Sequence, residues 1–377
     1  MRKIIITCIL SIVLLILLPF ASLVSFAEPL PELDMPEVGD LEELIPEEIR
    51  EMLPSDIFSE EAVGLLVGLD GAFFLNFIAS AFSTAMGNVA GTFFTIIGLI
   101  LITACINAMK NSFKSEGAGK IVEWATMIIT AVIVYQAAFS QFALVQAMLT
   151  RLHGLLAGLL PFITAINLAS GSATTAAVTG TQITLLLAII SGITYYLLVP
   201  MLQVCFGLNF TSHVSKSKGL SIISDFVRNS FLFLVGGLSA VLGIVFAFQA
   251  NVAQSADTVA LRTMKFAAGS WIPVVGSSVS EALRTVFGSL NLVRSATGAV
   301  GIVSVLMIGL PTILSLAAAK LSLTLAAAIA EMLSCSDLAK MLNGVSSLLN
   351  FAIAISVIFN VMVIFALGVF MGTMVGV

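Results

Sequence analysis

Charge is what most of this chain lacks. Residues 71–377 hold 7 acidic and 13 basic side chains, and the whole chain is 10% charged against 59% apolar. A water-covered surface cannot be built over about 300 such residues. Histidine is nearly absent, with only His153 and His213. The four cysteines, Cys8, Cys105, Cys205 and Cys335, have no metal-site spacing, which argues against zinc or haem. There is no glycine-rich phosphate loop, no His-Glu-x-x-His pair and no nucleophile elbow. Nucleotide hydrolysis would therefore have to come from a partner. The expectation is a non-enzyme with no cofactor, no metal and no nucleic-acid partner. Transport, channel formation or membrane scaffolding fit better.

The charge that is present is concentrated. Residues 28–70 carry 14 of the 21 acidic residues and a single base, Arg50. Pro29, Pro31, Pro36, Pro46 and Pro54 interrupt the same stretch. This composition buries too little apolar surface to offset chain entropy, so it reads as a solvated spacer or as a docking segment for a basic partner. Ahead of it, Arg2 and Lys3, an apolar run from Ile4 to Phe20, and Ser25-Phe26-Ala27 read as a secretory signal peptide over residues 1–27. The mature N-terminus is then expected outside the cytoplasm.

Hydropathy and lysine placement give about six transmembrane helices as three hairpins. The spans are Gly87–Met109, Ile121–Met148, Gln182–Leu208, Asn229–Ala250, a span within Thr297–Met332 broken by Pro311, and Val345–Met371. Eight bases, among them Lys110, Lys114, Lys120, Lys216, Lys218 and Arg228, fall on the cytoplasmic side. Arg151, Arg262, Lys265, Arg284 and Arg294 fall outside. Cys105, Cys205 and Cys335 lie near inward ends, where thiols stay reduced. The spans carry almost no ionisable residues, which argues against proton coupling.

Three apolar stretches are too short for plain spans. They are Gly71–Met86, Leu152–Ala169 with Gly158 and Pro161, and Phe266–Ser280 with Gly269, Pro273 and Gly276. All three are expected on the outer side as interfacial or re-entrant segments. The Gly/Pro elements become candidates for a pathway or a subunit seam. A following amphipathic stretch puts Val279, Leu283, Val286, Phe287, Leu290 and Val293 on one face. Arg284, Asn291 and Arg294 lie mostly elsewhere on the wheel. A helix on the outer leaflet, or one that contacts another subunit, is the expectation.

A possible parallel internal repeat spans units 152–254 and 262–372. Pro161 precedes Asp225 by 64 residues, and Pro273 precedes Asp337 by 64. Asp225/Arg228 and Asp337/Lys340 form matching Asp-x-x-base turns, expected on the cytoplasmic side as i,i+3 pairs.

The run from Asp257 to Gly301 resembles the stage III sporulation protein AE family. Its core is Arg262-Thr263-Met264-Lys265-Phe266-Ala267-Ala268-Gly269-Ser270-Trp271-Ile272-Pro273-Val274-Val275-Gly276, with Ser280, Glu281 and Gly298 beyond it. The resemblance covers essentially the whole mature chain. It implies a mother-cell protein in the membrane around the engulfed forespore, within a complex containing an ATPase and ring-forming proteins. That complex would meet stage II sporulation protein Q across the intermembrane space. A lipid-embedded, homo-oligomeric, non-enzymatic channel subunit follows as the expectation. A free-standing secondary transporter and a scaffold without a pathway stay open beside it.

Overall fold

The computed structural model describes residues 71–109, 116–193, 196, 199–214, 218–271 and 276–372. The described residues form seven helices and no strands. They are α1 (Gly71–Met109), α2 (Glu116–Ala169), α3 (Ala173–Gly192), α4 (Val199–Val214), α5 (Lys218–Trp271), α6 (Gly276–Met332) and α7 (Ser336–Gly372). Six of them, all but α4, are long and apolar enough to cross a membrane. The signal peptide and the acidic spacer lie outside the described residues.

The buried side chains show why the helices pack as they do. Along α2, Val134, Ala138, Val145, Leu149, Leu152, Leu156, Leu159, Ile163 and Ile166 are buried, three, four or seven residues apart, so they form one inward stripe. α6 and α7 form the most extensive helix pair, and α1 and α2 both flank α6. Within a bilayer, apolar burial gives helices no reason to associate. Close packing and interhelical hydrogen bonds do that work. Gly309 of α6 lies against Asn360 of α7 and Gly344 of α7 against Asn209 of α4, so closely that a Cβ at either glycine would overlap the amide. Polar contacts tie further pairs. Ser315 donates to Gln141 Oε1 at 3.2 Å, the hydroxyls of Thr324 and Ser346 are 3.0 Å apart, and Gln182 donates to the Phe246 carbonyl at 3.0 Å.

Several boundaries differ from the sequence expectation. Gly71–Met86 is continuous with the first span in α1. Leu152–Ala169 is no separate broken segment, because α2 runs for 54 residues with Pro161 inside it. α6 likewise passes through Pro311 and absorbs the amphipathic stretch. A proline removes one donor, which a membrane helix tolerates when neighbouring groups meet the freed carbonyls. The carbonyl that Pro161 frees is that of Ala157, while the Thr164 hydroxyl, one turn on, bonds the Leu160 and Pro161 carbonyls at 3.0 and 2.8 Å. The span expected over Gln182–Leu208 is instead divided between α3 and α4, with π-helical turns at Ile193 and Tyr196.

Two reversals share one geometry. After α2, the Ser172 N–H donates to the Asn167 carbonyl and the Gly171 N–H to Leu168, both at 2.9 Å. After α6, the Cys335 N–H donates to Ala330 at 2.8 Å and the Ser334 N–H to Glu331 at 3.0 Å. Gly171 (φ 70°) and Ser334 (φ 61°) supply the left-handed residue that this helix stop requires.

The two proposed repeat units are not built alike. Between the proline element and the Asp turn, one unit has the α2–α3 reversal followed by α3 and α4, whereas the described residues of the other belong to α6 and the reversal that ends it. Asp337 lies in the first turn of α7, whereas Asp225 lies about two turns inside α5.

Candidate functional site: a turn clamped by two buried charges

The tightest polar construction surrounds the α2–α3 reversal. A helix exposes carbonyls at its C-terminus and N–H groups at its N-terminus, so the two ends favour opposite charges. Here α2 ends at Ala169 and α3 begins at Ala173, so both ends meet within a few residues. Ser172 stands at the N-cap of α3 but makes no side-chain cap bond.

A distant carboxylate takes that role. Asp257 of α5 is 6% exposed. Its Oδ1 accepts the Thr174 N–H at 3.2 Å and its Oδ2 accepts the Thr175 N–H at 2.7 Å. The negative charge thus sits on the positive end of α3. Arg294 of α6 serves the other end. It is 1% exposed, and its guanidinium donates to Asn167 Oδ1 and to Ser170 Oγ at 3.2 Å. Ser170 in turn bonds the Ile166 and Asn167 carbonyls, each at 2.9 Å. The positive charge therefore sits on the negative end of α2. The Phe370 ring of α7 lies 5.7 Å from the guanidinium carbon, at cation–π distance. Gly298, one turn along α6 from Arg294, lies so close to Met371 that any side chain there would overlap it. Three further helices, α5, α6 and α7, thus converge on the α2–α3 reversal.

No motif in the sequence marks this site. Arg294, expected off the apolar face of a helix lying on the outer leaflet, is instead buried inside the bundle. Almost no ionisable groups are expected inside the spans, yet Asp257 and Arg294 both fall within apolar stretches long enough to span. A lone arginine followed by 25 residues without another charge was the available signal.

The residues singled out earlier are spread across the bundle. Gly158 is half-buried and Pro161 exposed, both on α2. Gly269 lies near the end of α5 and Gly276 opens α6, and Pro273 lies outside the described residues. The Asp-x-x-base pairs do form. Asp225 and Arg228 are 3.0 Å apart on α5, and Asp337 and Lys340 are 3.8 Å apart on α7. Arg228 also donates to Ser347 of α7, so it joins two helices. Cys205 and Cys335 are buried and Cys105 is exposed, all as free thiols. Among the described residues, no three His, Cys, Asp or Glu side chains gather as metal ligands.

These features define an all-helical, polytopic membrane protein whose buried polar groups join helices to one another. The family described as stage III sporulation protein AE matches residues 69–374, and the chain belongs to that family. A relative named stage III sporulation protein AE, from Bacillus subtilis (strain 168), is 25% identical over 224 residues. That match covers 58% of this chain and 54% of the relative, so it spans about half of the relative's length. No solved structure matches the chain.

Proposed function

We propose that this protein is a non-enzymatic integral membrane subunit of a channel or secretion-like complex between mother cell and forespore. It is needed for endospore development after engulfment. The family match across residues 69–374 carries the reading, and the six membrane-length helices support a role within the bilayer. The partners in this reading are the other stage III proteins of the complex, including an ATPase, and indirectly stage II sporulation protein Q. The chain sits in the mother-cell membrane around the forespore as a homo-oligomer, with its mature N-terminus outside the cytoplasm. The Gly158–Pro161 and Gly269–Gly276 elements belong to a pathway or subunit seam, and the Asp225/Arg228 and Asp337/Lys340 pairs to the cytoplasmic face.

Deleting the gene tests this role. Spore formation should stop after engulfment while vegetative growth is unchanged. A vegetative uptake defect for a defined solute would overturn it. That outcome belongs to the second reading, a free-standing secondary transporter, which the burial of Asp257 and Arg294 within apolar spans favours.

A further inference from the structure

The outward faces of the membrane-length helices are not alike. On α5, Phe233, Ile244 and Phe248 turn outward, 70%, 72% and 69% exposed, as suits contact with hydrocarbon. The α2–α3 hairpin differs. Over residues 147–161 of α2, the exposed positions are Ala147, Thr150, Arg151, Gly154, Ala157 and Pro161. On α3 they are Ala173, Thr174, Ala177, Thr181 and Thr184. Neither stretch exposes a leucine, isoleucine, valine or aromatic ring. Helical spacing puts each set on one face of its helix.

The two faces follow one another along the hairpin. Gly180 lies beside Thr164, since a Cβ there would meet Thr164 Cγ2 at 3.3 Å. With the helices antiparallel about their short turn, the track from Thr174 on α3 to Ala147 on α2 is roughly 35 Å long at 1.5 Å per residue. That is enough to cross a hydrocarbon core of about 30 Å.

The charge on this hairpin is of one sign. Arg151 and His153 are the only acidic or basic side chains of α2 between Met127 and Ala169, and α3 has none. Arg151 is exposed in the middle of an apolar stretch of 43 residues. Charged side chains in such segments face the bundle interior or a water-filled cavity, and Arg151 faces out of the bundle. The hydroxyls of Thr150, Thr181 and Thr184 donate to carbonyls one turn back, which leaves their oxygens able to accept from water. The turn at the head of the track gives an independent sign of water. Asn167 Nδ2 and Ser172 Oγ have no hydrogen-bond partner among the described residues, although Asn167 is 0% and Ser172 1% exposed. Buried polar groups left by the protein in this way are met by internal water.

We propose that the outer face of the α2–α3 hairpin is hydrated and lines a path for small anions, with Arg151 as the charge that selects them. A guanidinium on an otherwise uncharged face draws anions toward it and repels cations. The proposal rests on the channel reading and gives it a pathway face and a solute class.

The test uses the full-length chain in membranes from sporulating cells, opened to reagent on both sides, with the exposed Cys105 replaced by Ser. Single substitutions Thr150→Cys, Gly154→Cys, Thr181→Cys and Thr184→Cys are compared with Phe233→Cys, Ile244→Cys and Phe248→Cys. Water-soluble charged methanethiosulfonates should modify the hairpin set about tenfold faster than the α5 set, because a thiolate forms only where water reaches it. At Gly154→Cys, where a Cβ meets nothing within 4 Å, the anionic reagent should be favoured over the cationic one, relative to their rates with a free thiol. Arg151→Gln should lower that preference about fivefold and Arg151→Lys should keep it. Reaction of the hairpin set no faster than the α5 set would overturn the proposal, because lipid or another helix would then cover the face. A reagent preference indifferent to Arg151→Gln would overturn it as well. The labelling pattern reports on this face and the deletion phenotype on the sporulation role, so the two readings can fail separately.

Discussion

Asp257 closes the N-terminus of α3 from 82 residues away, its Oδ2 accepting the Thr175 N–H at 2.7 Å. Helix caps are ordinarily local. Here the adjacent Ser172 leaves the position to a residue of another helix, so forming the α2–α3 reversal and docking α5 become one event. Replacing Asp257 with Ala leaves two helix-end donors without their acceptor, of which the Thr175 N–H is buried, and an unmet buried polar group costs about 1–3 kcal/mol. Asp257→Ala should lower the unfolding temperature in detergent clearly, and Asp257→Asn, which keeps one acceptor, should lower it less. Equal stability of all three proteins would count against the cap.

Arg294 and Asn167 should be coupled energetically. Groups sharing one buried network show interaction energies of about 0.5–3 kcal/mol. A double-mutant cycle with Arg294→Met and Asn167→Leu, read by detergent unfolding, should give a value in that range. Arg294→Lys should not restore stability, because a single ammonium does not reproduce the guanidinium fork that reaches Asn167 and Ser170. Strict additivity would show that the two residues act separately.

Glycines should sort by contact rather than by sequence context. Gly309→Ala drives a methyl group into Asn360, and overpacking of this kind costs about 1–3 kcal/mol. Gly237→Ala meets nothing within 4 Å and removes the helix penalty of glycine, worth about 1 kcal/mol. Unfolding temperature should fall in the first variant and hold or rise in the second. The reverse order would contradict the α6–α7 packing.

Sidedness is measurable by labelling single introduced cysteines with an impermeant reagent in intact cells. Positions 114, 216 and 340 should stay unlabelled, while 153 and 284 should label. Labelling at 216 but not at 284 would invert the topology.

Composition made the membrane class and the number of long apolar helices legible in the sequence. Helix ends were less so. Pro161 and Pro311 read as breaks because proline disfavours helix interiors in water, yet α2 and α6 pass through both. Gly171 and Ser334, which do end helices, stand out less because their role depends on a single positive φ. The clamp was hidden for a different reason. Arg294 shares a polar wheel sector with Asn291, and no periodicity reports that the end of α2 covers it. Likewise, the partner of Asp257 is set by tertiary packing, not by any local motif.

The central claim, that this chain works as part of a larger sporulation assembly, is tested most directly by affinity purification of a tagged, functional copy from sporulating cells in mild detergent. The account predicts co-elution with the ATPase and the other stage III proteins in a fixed ratio. Recovery of the intact chain alone, from cells in which those proteins are present, would contradict it.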